Sequence, residues 1–112
     1  MNFRLTSSIA TVTSPLVRNT IASLKLRKGV SEAIRAAMTK YAHQAKTLRV
    51  PQEYQPPKDY ADRVFVLAIV PPVLRDEYEA YAKQYDIPMS ELVLRCLSAW
   101  LRHQTTTPNK TQ

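Results

Sequence analysis

The feature that most restricts this chain lies between Val64 and His103, where one strand-like run is followed by two helical stripes. Residues Val64–Val70 (VFVLAIV) are β-branched and aromatic and stop at Pro71-Pro72, which marks a strand. A proline is tolerated in the first turn of a helix, so the same pair predicts a helix start. Leu74, Tyr78, Tyr81, Ala82 and Tyr85 then recur at steps of three and four, and Asp76, Glu77 and Glu79 fall on the opposite, solvated face. Pro88 disfavours helical geometry in the residue before it, so this helix ends near Asp86-Ile87. A second stripe, Leu92, Val93, Cys96, Leu97, Trp100 and Leu101, predicts a helix from Pro88 to about His103. Strand, short helix, tight turn and longer helix occupy only about 42 residues, too few to bury an adequate core alone. The unit needs a second copy.

A counterpart is readable in the first half. Ser31-Glu32-Ala33-Ile34 echoes Ser90-Glu91-Leu92-Val93 at an offset of 59, which holds for Ala37 against Cys96, Met38 against Leu97, Tyr41 against Trp100 and Ala42 against Leu101. Upstream the offset is 57: Val17, Ile21 and Leu24 match Leu74, Tyr78 and Tyr81, and Gly29-Val30 matches Asp86-Ile87. A turn shortened by two residues accounts for the change. Ser8–Thr13 is strand-like, and Ser14-Pro15 predicts a helix start. The expected organisation is a basic first copy over 1–45, a linker over 46–61, a second copy over 62–103 and a flexible tail over 104–112. The linker contains three prolines (Pro51, Pro56, Pro57), and its sixteen residues reach about 50 Å when extended.

In order and spacing, Val70-Pro71, Leu74, Tyr78, Tyr81-Ala82, Tyr85, Asp86-Ile87 and Ser90-Glu91-Leu92-Val93 resemble the ribbon–helix–helix family, the Arc/MetJ-like repressors. The resemblance implies a mainly α fold with a short β-ribbon, built here as a tandem pseudo-dimer within one polypeptide or as a homodimer. A few conjugative-plasmid DNA-processing proteins are similar in arrangement. The family places an antiparallel two-stranded ribbon in the DNA major groove. The implied partner is therefore double-stranded DNA, and the implied role is a transcriptional repressor or a plasmid-maintenance or antitoxin-type regulator in the cytoplasm.

The resemblance also assigns residues. Outward strand positions read base edges in the family, and on the second strand these are Phe65, Leu67 and Ile69, which offer only apolar contact to thymine methyls. They are equally candidates for a protein partner. On the first strand, one register exposes Thr11 and Thr13 and leaves Ala10 and Val12 for the core; a slip by one residue reverses this. The exposed register is expected here. Arg4, Arg27 and Lys28 supply basic surroundings for phosphates, together with Arg18 and Lys25. The N-termini of the second helices, at Ser31 and at Met89-Ser90, offer backbone N–H groups to phosphate oxygens; Ser31 and Ser90 also suit simple helix capping, and both roles can hold together. Pro88 stands where the family usually has Ser and removes one such N–H.

Charge is uneven. Residues 1–50 carry nine Lys/Arg against one acid, and residues 51–112 carry seven against eight, within a net charge of +7. A basic half attracts phosphate polyanions, and it equally forms a solvated surface. One glycine and no phosphate-loop pattern disfavour nucleotide binding, and one cysteine with two separated histidines, His43 and His103, gives no metal-ligand spacing. Cys96 and Trp100 read as core residues. No cofactor, catalytic constellation or membrane span is expected. The acid-poor stretch 1–30 also has the composition of an organellar transit segment, which leaves open an organelle-targeted small helical protein.

Overall fold

The computed structural model describes residues 6–106. Its order is β1 (Ser7–Thr13), α1 (Pro15–Ser23), α2 (Gly29–Lys40), β2 (Val64–Val70), α3 (Pro72–Tyr85) and α4 (Met89–Thr106). The chain is mainly helical with a short antiparallel ribbon, and β–α–α occurs twice. Each of β1 and β2 spans seven residues, and both their ends and the starts of α1 and α3 are separated by 57 positions.

The two strands pair with each other, Ser7 opposite Val70 through Thr13 opposite Val64. Among the described residues, neither strand has another neighbour in the sheet. Alternation sends Ser7, Ile9, Thr11 and Thr13 of β1 inward, with Val66, Ala68 and Val70 of β2. The expected exposure of Thr11 and Thr13 is therefore wrong: they are 1% and 0% exposed, and Ala10 takes the outward position. Both hydroxyls find acceptors that make burial tolerable. Thr11 Oγ1 donates to the Ser90 carbonyl at 2.8 Å, and Thr13 Oγ1 to the Ser14 carbonyl at 2.8 Å.

Beneath the ribbon, α2 and α4 pack on each other. Ala33, Ile34, Ala37 and Met38 are buried with Leu92, Val93, Cys96 and Leu97, as the offset of 59 requires. Trp100 and Leu101 are buried, while Tyr41 packs partly buried against the same core. From α3, Tyr78 enters this core and donates its hydroxyl proton to the Met38 carbonyl at 2.7 Å. Its oxygen lies 3.2 Å from Cys96 Sγ, which also faces the Tyr41 carbonyl at 3.9 Å.

The two-residue difference between copies is not a shortened turn. Five residues, 24–28, separate α1 from α2, against three, 86–88, between α3 and α4. The missing length comes from α1, which has nine residues where α3 has fourteen. Leu24 and Leu26 both pack against the core, and residues two apart do not share a helix face, so the helix gives way there. Lys25 takes the left-handed conformation just after α1, and Asp86 does so just after α3. Ile87 N–H then reaches back to the Ala82 carbonyl at 3.1 Å, closing the end of α3.

Segment 46–61 is pinned rather than simply extended. It forms short 3-10 turns at Gln52–Tyr54 and Tyr60–Asp62, the latter running one residue past it. Tyr54 is buried in the core, Ser14 Oγ donates to the Glu53 carbonyl, and Arg95 Nη1 donates to the Lys46 carbonyl at 2.8 Å. At the other end, α4 continues three residues beyond the expected stop at His103, to Thr106. No proline or glycine interrupts the sequence between His103 and Thr106. Removing residues 1–30 would delete β1 and α1 and with them Ile9, Val17 and Ile21 of the core.

Candidate nucleic-acid interface

The ribbon's outward face is built from three cross-strand pairs: Ser8 with Ile69, Ala10 with Leu67, and Val12 with Phe65. Ser8 alone among these six carries a polar side chain. Phe65, Leu67 and Ile69 are 65%, 62% and 47% exposed. Leu16 and Val73, each three residues past a strand and 57 apart, are also exposed, as is Tyr60 shortly before β2. The large exposed apolar side chains of the described residues thus lie on β2 or close in sequence to a strand end.

Two hydrogen bonds tie the helix N-termini to the ribbon. The Thr11 bond to Ser90 joins β1 to the start of α4, and Ile69 N–H donates to Ser31 Oγ at 2.9 Å, joining β2 to the start of α2. Neither serine occupies a cap position, contrary to the capping role. Ser31 is the third residue of α2, and Ser90 is the second of α4. Residue Lys28 holds the cap position of α2 without a side-chain cap; its N–H donates instead to Glu32 Oε1 at 3.1 Å. The hydroxyl of Ser31 is therefore already engaged, whereas Ser90 stays exposed and Met89 packs half-buried against the core.

The two ends differ in charge. Exposed Lys25, Arg27 and Lys28 precede α2, whereas Asp86 precedes α4. Glu91 in the first turn of α4 is paired with Arg95 at 3.0 Å. Arg18 is exposed on α1, and Arg4 lies outside the described residues. Of the residues expected to meet DNA, the structure brings Ser31 and Ser90 to the ribbon edges and leaves Arg27 and Lys28 on the surface beside α2. It withdraws Thr11 and Thr13 into the core. Ala10 and Val12 take their outward places, and the 57-residue offset, carried into the strands, identifies them: it matches Ala10 to Leu67 and Val12 to Ile69.

Elsewhere, burial and the Tyr78 contact describe Cys96: burial pushes its thiol up to about 11, against the lowering effects of Tyr78 and Arg95. A thiol so held is protonated at neutral pH and is a poor nucleophile. No group of three His, Cys, Asp or Glu among the described residues is placed to hold a metal ion. No described helix is long and apolar enough to cross a membrane. No known protein family, curated protein or solved structure significantly matches the chain.

Proposed function

We propose that this chain is a tandem ribbon–helix–helix protein, an intrachain pseudo-dimer, that binds double-stranded DNA. One observation carries the reading: β1 pairs antiparallel with β2 along all seven residues, and the starts of α2 and α4 are hydrogen-bonded to the ribbon. A two-stranded ribbon fits the major groove, and helix N-termini beside it present N–H groups to the flanking phosphates. The basic turn at Lys25, Arg27 and Lys28 adds cations at one of those ends. Such a protein acts as a small regulator, of the repressor, plasmid-maintenance or antitoxin type. Titration of a mixed-sequence duplex at several salt concentrations tests this. Log affinity should fall linearly with log salt, by roughly 0.9 per phosphate neutralised. A folded protein that binds no duplex even at low salt would refute it.

A second reading keeps the fold and gives the ribbon to a protein partner. The apolar outward face favours it, because Phe65, Leu67 and Ile69 are exposed and none has a hydrogen-bonding side chain.

A further inference from the structure

Resting on the DNA-binding reading, we infer that β2 is the reading strand and that it recognises pyrimidine C5-methyl groups in the major groove: thymine and, by the same chemistry, 5-methylcytosine. Each outward pair sets a large side chain on β2 against a smaller one on β1, Ile69 over Ser8, Leu67 over Ala10 and Phe65 over Val12. The β2 side chains therefore project furthest. Alternate residues of a strand are about 6.8 Å apart. Two base-pair steps of B-DNA cover about the same distance, at about 3.4 Å each. Phe65, Leu67 and Ile69 thus meet every second base pair.

What they can recognise follows from the groove. The C5-methyl of thymine is the apolar feature of an unmodified major-groove edge, and a G·C pair shows only donors and acceptors. An apolar ribbon leaves polar edges without partners where it excludes water, but A·T and G·C pairs each present three such groups, so this penalty does not separate them. Discrimination then arises from the methyl contact, which a thymine or 5-methylcytosine offers and an unmodified G·C pair does not. The Lys25, Arg27 and Lys28 cations supply the attraction to phosphate that the ribbon itself lacks.

The experiment compares duplexes differing only in these methyls. The probes are alternating A–T duplexes and the same duplexes with deoxyuridine for thymine, then alternating G–C duplexes with and without 5-methylcytosine. Each buried methyl contributes a factor of about four, so loss of two thymine methyls should weaken binding roughly tenfold or more. Methylating cytosine should strengthen it. The exposed-site variants Phe65→Ala and Leu67→Ala should shrink the thymine-to-uracil ratio and leave the salt slope unchanged. Equal affinity for thymine and uracil duplexes, with the salt slope intact, overturns the inference and leaves DNA binding standing. A ratio that survives both alanine variants also overturns it, because methyl sensing then belongs to another surface. Absence of any duplex binding by the folded chain removes the DNA-binding reading itself and directs the ribbon to a protein partner.

Discussion

Thr11 Oγ1 donates a 2.8 Å hydrogen bond to the carbonyl of Ser90, joining β1 to the first turn of a helix 79 residues later. The bond links the two halves of the chain at the edge of the ribbon, and it consumes the hydroxyl that base readout would need. Thr11→Val keeps the shape and deletes the donor. We expect it to cost about 1 kcal/mol, the usual net value of one such bond. Duplex sequence preference should not change. Urea unfolding with a parallel duplex titration checks both, and a changed preference at unchanged stability would return Thr11 to the interface.

The strand register is where sequence and structure part, and the reason is local. Both faces of β2 are apolar, so its pattern is uninformative, yet Pro71 anchors the count and places Phe65, Leu67 and Ile69 outward as observed. In β1, hydrophobicity assigns Val12 inward and its threonine neighbours outward. Tertiary pairing overrides that assignment, because each threonine meets a carbonyl and Ala10 and Val12 complete an apolar outer face. The facing stripes of α2 and α4 are legible because helical period and an unbroken offset agree over Ala33–Ala42 and Leu92–Leu101. The early end of α1 and the burial of Tyr54 depend on contacts distant in sequence, which no local pattern records.

Stability should fall in alkali. Burial holds the Cys96 thiol at about 11, above its ordinary 9.0, and burial first, then Cys96, pushes the Tyr78 hydroxyl above its ordinary 10.0. Both folded values are raised, so the contribution of each group is complete below its unfolded value and is lost as pH climbs towards the folded one. The unfolding free energy should therefore hold to about pH 9 and drop above it, by up to about 1.4 kcal/mol per pH unit for each titrating group, and the thermal midpoint should fall with it. Cys96→Ala should cost about 1 kcal/mol or less at neutral pH, as a small replacement in the core. It should also flatten the decline between pH 9 and 11. A midpoint level to pH 11 in the wild-type chain contradicts this account.

Gly29 opens α2 at φ +56, and a β-carbon there meets no heavy atom within 4 Å. The position is constrained by backbone conformation alone. Gly29→Ala should therefore cost about 1–2 kcal/mol, the left-handed penalty for an L-residue. Gly29→Asn should cost less, because Asn enters that region more readily. Chemical denaturation of the two variants distinguishes this from steric crowding, under which the larger Asn would be the worse replacement.

The unequal ends of the ribbon give the sharpest test of where phosphates lie. Lys25, Arg27 and Lys28 crowd the turn before α2, while the corresponding turn before α4 presents Asp86. If both helix starts flank a duplex, the first end attracts the backbone and the second repels it. Replacing Arg27 and Lys28 together by Ala should flatten the slope of log affinity against log salt by about one to two units. Asp86→Asn should act oppositely and tighten binding at low salt. Asn adopts the left-handed conformation that Asp86 holds at φ 56, so the turn is retained. The gain should fade as salt shortens the screening length to about 8 Å at physiological ionic strength. Both variants alter exposed side chains, so circular dichroism should match the wild type. If neither change moves duplex affinity while the wild type still binds, the phosphates do not lie at these helix starts and the docking geometry is wrong.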